Sequence, residues 1–379
     1  MRCGDATERN DSLDVARGLA MILVIYGHVL QIFFHARADG EFSQMAFLQW
    51  QAIYSFHMPL FFLISGAILD QFSGKSWKDV ATRSAYLIAL AYIVDVIGIF
   101  FAAVTQGVSS ETIPTLENYV VDHLLLAESF STITPWFLVA FAIVRLLAYA
   151  LTRCDGAKRW LIGAALAIVF AASYRYPQAF HLRAVPPGVA FFMVGRYLSA
   201  HKIDIGAWAA IALLATALWL AHSNGGCTFA WQITCENAEL PGRFAVLMIF
   251  GLFGSLPLFF LTAAMGAAGI MGLSGPLGCI WIARPVRFIG RNSLDFLLIN
   301  GFYLVFGNPY LRNHVGIDDS LVFFVAVALL ATLVHVATFL LLKRALFHIK
   351  AFAQGVGRFA TGAVWNAVER MRGAPTAAT

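Results

Sequence analysis

The first apolar stretch of this 379-residue chain holds an arginine and a histidine, Arg17 and His28, eleven residues apart. In a helix each residue turns about 100° and rises about 1.5 Å, so that spacing puts both side chains on one face, about 16 Å apart. An ionisable group inside hydrocarbon is costly and usually lines a cavity. Arg17 sits near the start of the stretch and His28 past its middle, a pairing of depths that suits chemistry linking two compartments. Asp14 lies three residues before Arg17, close enough on the helix face to fix the guanidinium. A neutral imidazole at His28 can serve as a general base. Each residue also has a structural reading: Arg17 as an interfacial anchor that snorkels, His28 as a hydrogen-bonded core histidine.

His57 is the competing base, in the segment Phe56-His57-Met58-Pro59-Leu60-Phe61-Phe62-Leu63-Ile64-Ser65-Gly66. Breaks around Pro59 and Gly66 free backbone groups that lipid does not satisfy, so they face a cavity; the alternative is a proline kink with close glycine packing. Asp95 is the one carboxylate inside the third apolar run, either a partner for a histidine or cation or a buried structural acceptor. Asn292 and Ser293 read more readily as a helix start than as ligand contacts.

The elements that must position these residues are transmembrane helices. Hydrophobic residues make up 60% of the chain and charged residues 12%, roughly half the charged share of a soluble domain. Apolar blocks of membrane-crossing length fall near 13–34, 46–69, 82–104, 135–152, 159–175, 184–200, 205–222, 243–265, 292–310 and 320–343. The reading is an all-α polytopic protein of about ten spans with both termini cytoplasmic. The Gly-rich stretch 265–291 reads as a loop or a re-entrant segment. With that topology only Arg37, Arg175, Arg183, Arg243 and Arg312 of the 26 basic residues lie outside, as the positive-inside rule requires. The charge of +5 therefore reports orientation and does not point to nucleic acid.

The polar start through Asp11 leads straight into a full-length span, so the first helix reads as retained and not as a signal peptide. Residues 1–346 form the transmembrane domain and 347–379 a basic amphipathic cytoplasmic tail suited to the inner leaflet. A short interfacial helix or a solvated loop accounts for Tyr119 to Leu126. The five cysteines have no metal-ligand spacing, and Cys227 and Cys235 share one outer loop, as a disulfide or as two free thiols.

Taken in order, these segments resemble the membrane acyltransferase-3 family. Arg17 to His28 resembles its Arg-x10-His signature in an LDxxRG…GH context, and Phe56 to Gly66 its FHMPLFFxxSG segment. Pro135-Trp136-Phe137-Leu138 resembles its WFL segment, and Gly290-Arg291-Asn292-Ser293-Leu294 its GxxSL segment. The branch of closest resemblance contains fucose 4-O-acetylases. Two positions depart from the pattern. Tyr86 follows Arg83 where many members have a second arginine, and Asn300 stands where members often have a histidine, so proton transfer is not available there.

The resemblance implies that an acyl group passes from cytoplasmic acyl-CoA, acetyl-CoA in the first instance and with no metal, to a hydroxyl of a cell-envelope or exported carbohydrate at the outer face. That acceptor is a polysaccharide, lipopolysaccharide or glycolipid, and the site is the bacterial inner membrane. On this reading His28 is the base, with Arg17, Asp14 and His57 as further catalytic candidates. Arg17, Arg83 and Lys78 suit the coenzyme phosphates, although Lys78 also fits simple positive-inside topology. Trp136 can stack on a sugar or anchor at the interface, and Asp95, Asn300 and Ser65 are the other acceptor-side candidates. Two other functions fit the residues: a transporter of a lipid-linked glycan or small molecule, and a transferase moving a larger group such as succinyl onto periplasmic glucan.

Overall fold

Long runs of aliphatic and aromatic residues satisfy their backbone hydrogen bonds internally only as helices when their solvent is lipid. The computed structural model describes residues 6–34, 42–68, 72, 74–107, 114–127, 129–173, 179–224, 244–312 and 314–373. Its first half holds α1 (Ala6–Phe34), α2 (Gln44–Tyr54), α3 (His57–Gly66), α4 (Trp77–Gln106), α5 (Leu116–Asn118), α6 (Pro135–Arg153) and α7 (Gly156–Ser173). Then follow α8 (Val185–Ala200), α9 (Ala207–Ala221), α10 (Leu256–Gly278), α11 (Arg284–Arg291), α12 (Ser293–Phe302), α13 (Asn308–Arg312) and α14 (Leu321–Gly373). No β-strand occurs among the described residues beyond an isolated bridge between Leu247 and Leu252.

Local chemistry sets the ends of these helices. Ser76 and Asp79 form a reciprocal capping box at the start of α4. Ser43 caps α2 by accepting from the amide of Ala46 at 3.0 Å. Prolines occupy the first turn of α6, α8, α10 and α11, where a missing N–H leaves no bond unmade. The exterior is apolar: Phe100, Trp160, Trp208 and Leu341 all stand largely exposed. Six helices among the described residues are long and apolar enough to cross a membrane, which makes the chain a multi-pass membrane protein. Where four further spans are expected, the structure has shorter or broken helices: α2 with α3, α8, α9, and α12 with α13.

The second span is broken at Ser55–Phe56, just before Pro59, because the proline cannot donate to the carbonyl four residues earlier. Gly66 serves packing. A Cβ there would run into the backbone carbonyl of Phe192 on α8, and one on Gly195 of α8 would meet the carbonyl of Leu63.

The span expected at 243–265 is overturned. Residues 247–252 form a tight hairpin around the 3-10 turn Met248–Phe250, with left-handed Gly251 (φ 69°), and Gly254 (φ 62°) follows. A helix cannot pass through two such positions, so it begins at Leu256 and runs to Gly278. The stretch from 265 to 278 is thus helix and not loop. Its glycines are contact points: Gly266 meets the ring of Phe56, and Gly269 and Gly272 meet α9 and the segment before it.

The loop apolar segment at Tyr119–Leu125 is a π-helix with Val120, Val121, Leu124 and Leu125 exposed. The final span and tail are one continuous helix, α14, unbroken at 346–347. Its tail half packs along α4, where Gly357 lies against the backbone of Tyr86, and Lys350 forms an ion pair with Asp295 at 2.7 Å. Cys227 and Cys235 lie outside the described residues.

Candidate functional site

Two chambers open along the one face of α1 that carries Arg17 and His28. The larger, of 310 Å³, is lined by His28, Gln31, Trp50, Tyr54, His57, Trp136 and the hairpin from Leu247 to Leu252. The smaller, of 170 Å³, is lined by Arg17, Phe61, Ile64, Ser65, Leu87, Phe141, Ser293 and Leu294. Met58, Phe137 and Leu297 line both. Three side chains from α3, α6 and α12 are thus common to a chamber that holds a guanidinium and a chamber that holds two imidazoles, and this apolar boundary is termed the neck.

The helix breaks explain why these residues converge. Ending α2 at Tyr54 and restarting at His57 turns both rings inward, with Tyr54 and His57 at 4.5 Å between centroids and Tyr54 and His28 at 6.2 Å. Nδ1 of His57 donates to the carbonyl of Ile53 at 3.0 Å. Trp136 enters at the proline-started first turn of α6 and packs against His181. The loop that the hairpin makes from the expected span supplies one wall of the His28 chamber.

At the other end, Asp14 is a poorer partner for Arg17 than its spacing suggests. Their contact is 3.4 Å, whereas Arg291 of α11 donates to Asp14 at 2.8 Å and to Asp11 at 2.7 Å. Arg287 also pairs with Asp11. Gly18 meets the carbonyl of Val286, and Gly290 meets that of Asp14, so α1 and α11 touch backbone to backbone. The motif pieces Leu13-Asp14-Val15-Ala16-Arg17-Gly18 and Gly290-Arg291 are therefore largely one packing joint, and from it Arg17 reaches the smaller chamber.

His28 is held from behind. Its Nδ1 hydrogen-bonds Oδ1 of Asn300, and Nδ2 of Asn300 lies 3.1 Å from Nε2 of His335 on α14. Nδ1 of His335 donates to the carbonyl of Ala331 at 2.7 Å. Asn308 donates to the backbone carbonyl of His28 at 2.7 Å. The π-helix Tyr303–Gly307 follows Asn300 by one turn and joins α12 to α13, which brings Asn308 under α1. Such wide turns recur at functional sites.

The structure brings Arg17, His28, His57, Trp136 and Ser65 to the walls of the two chambers, while Asp14 lies in the α1–α11 joint and lines neither. It places the rest elsewhere. Asn300, expected as an acceptor contact, sits behind His28 with both ends of its amide on imidazoles. Asp95 is fully buried, accepts from Nδ1 of His123 at 2.8 Å and from the amide of Ser131 at 2.6 Å, and so ties the loop after α4 to that helix. Lys78 and Arg83 are exposed near the start of α4 and line neither chamber. Asn292 ends α11 and bonds back to Phe288. His335 was not nominated by any motif, although it is the single titratable residue between Leu321 and Leu342.

Residues 10–340 match a family described as an acyltransferase domain, acyltransferase-3. The chain is 26% identical over 320 residues to the nodulation protein NolL of Mesorhizobium japonicum, an alignment covering 79% of this chain and 78% of that protein. It is 31% identical over 159 residues to NolL of Sinorhizobium fredii, covering 37% and 42% of the two chains.

Proposed function

Because the chain belongs to the acyltransferase-3 family and is an acyltransferase, we propose that it moves an acetyl group from cytoplasmic acetyl-CoA to a hydroxyl of a cell-envelope or exported carbohydrate. The observation that carries this reading is the pair of chambers on one face of α1, with Arg17 in one, His28 in the other and a shared neck between. Ten spans with both termini in the cytoplasm of a bacterial inner membrane put the Arg17 chamber inside, in accord with the distribution of basic residues. Membership of an enzyme family removes the transporter reading.

In this scheme the coenzyme enters at the Arg17 side, where cationic groups suit its phosphates, and its thioester reaches the neck. The acceptor occupies the His28 chamber. Its 310 Å³ is at the small end of the range for ligand pockets, about 300–1,000 Å³, enough for a sugar unit that stacks on Trp136 or Trp50. The acceptor hydroxyl gives its proton to His28 as its oxygen attacks the thioester carbonyl carbon. The carbon–sulfur bond then breaks, and the sulfur leaves with the proton returned from the imidazolium, giving an ester and free coenzyme thiol. His57 stands across the chamber as a second imidazole contact.

Mass spectrometry of envelope glycans from cells with the gene, without it, and with a His28→Ala copy at equal protein level tests the reading. Acetyl groups should appear only with the intact gene, and identical acetyl content in all three refutes it. A reporter fused after Gly226 should be active on the outer side, and a cytoplasmic signal there would break the ten-span topology.

A further inference from the structure

We infer that His335, acting through Asn300, is a positioning residue that sets the tautomer of His28 and makes Nε2 its basic nitrogen. The inference rests on His28 acting as the base in acyl transfer. It follows from which atoms can only accept.

The carbonyl of Ala331 has no proton to give, so Nδ1 of His335, 2.7 Å away, carries one. A neutral imidazole has a single N–H, and Nε2 of His335 is therefore a lone-pair acceptor. That acceptor faces Asn300 at 3.1 Å and selects the amide NH2 as its neighbour. The amide oxygen then points at Nδ1 of His28. An amide oxygen also only accepts, so Nδ1 of His28 is protonated and Nε2 is bare. The reverse orientation of Asn300 faces its oxygen with the bare nitrogen of His335, two acceptors with no proton between them.

One backbone carbonyl on α14 thus dictates the protonation pattern of a ring on α1, through two buried side chains, Asn300 and His335. Amide and imidazole order are assigned by partners and not by shape alone, and here every partner agrees. The same chain supports the charged form. When Nε2 takes the acceptor's proton, Nδ1–H still donates to Asn300, and the aligned amide and imidazole dipoles strengthen that bond. No proton needs to travel along the chain, so an asparagine in the middle is sufficient. His57 lacks this arrangement, since its Nδ1 donates directly to the backbone carbonyl of Ile53 at the end of α2.

The test reads the tautomer directly. Full-length protein labelled with 15N-histidine is reconstituted in lipid bilayers, and the His28 signals are identified by their loss in His28→Gln. The wild type should show a protonated Nδ1 and an unprotonated Nε2. His335→Phe keeps a ring against Tyr303, which packs at a tilt on His335 with centroids 4.5 Å apart, but removes the acceptor for Asn300; both His28 tautomers should then appear. His335→Gln, whose side-chain oxygen can take the Asn300 NH2, should restore the single form. Acetylation of envelope carbohydrate should fall about tenfold or more in His335→Phe and recover in His335→Gln.

A His28 protonated at Nε2 in the wild type overturns the inference, whether or not the variants fold. So does an unchanged Nδ1–H tautomer in folded His335→Phe. If the wild type shows the expected tautomer yet His28→Ala leaves envelope acetylation intact, the assignment of the base has failed while the positioning chain stands.

Discussion

The two ends of the functional face of α1 are held in opposite ways. At Arg17 the helix is fixed by charge and by the absence of side chains: Arg287 and Arg291 grip Asp11 and Asp14, and Gly18 and Gly290 let two backbones touch. At His28 it is fixed by neutral groups, a carboxamide and a second imidazole, buried and directional. Charge pairs locate a helix and tolerate loose geometry, whereas neutral hydrogen bonds with one permitted orientation locate a proton. The first kind of contact suits a joint near water. The second suits a base that has to present one particular lone pair.

The largest expected effect is at the His28 end. His28→Ala should reduce acyl transfer by ~10²–10⁴-fold, the range for a positioned general base, without loss of the folded protein, because Asn308 binds the backbone of His28 and not its ring. Acetyl incorporation at matched protein level measures this. At the Arg17 end the corresponding damage is steric: Gly290→Leu should cost about 1–3 kcal/mol or more through overpacking, seen as a lower melting temperature in detergent. Gly275→Ala, where no atom lies within 4 Å, should leave it unchanged.

The neck between the two ends gives a prediction of intermediate size. Phe137→Ala or Met58→Ala should raise the rate with butyryl-CoA relative to acetyl-CoA about tenfold, since one methylene in an apolar pocket discriminates by ~10–200-fold. A donor series of rising acyl length reads the ratio, and an unchanged profile in both variants would show that the acyl group does not pass there. The smallest effect belongs to Arg291→Ala. Its side chain is 59% exposed, so its two ion pairs should contribute no more than about 1 kcal/mol, visible only as a small melting shift that salt reduces.

What could be read in advance follows the range of the interactions. The shared face and different depths of Arg17 and His28 depend only on helical period, and the structure gives each its own chamber. The break in the second span was signalled by Pro59, and its position at Ser55–Phe56 follows from the missing N–H. The hairpin at 247–252 was hidden because an unbroken apolar run surrounds Gly251 and Gly254, and composition alone cannot say on which side of them the helix lies. From the sequence Asn300 reads as an acceptor contact, because its partners lie on other helices, 272 residues away at His28 and 35 at His335. His335 did leave a mark: a lone imidazole in a long apolar run is itself a reason to look for a partner.

The neck also bears on what the membrane loses by housing such a path. A route that joins the two faces of a bilayer is a potential leak of protons and ions, and leakage dissipates the voltage that the cell maintains. Met58, Phe137 and Leu297 offer no strong hydrogen-bonding side chain to a water file between the two chambers, and narrow apolar constrictions empty of water. On the proposed acyl path the same three side chains would double as electrical insulation, and replacing any of them with a polar residue should make the protein toxic to an energised cell before it alters the chemistry.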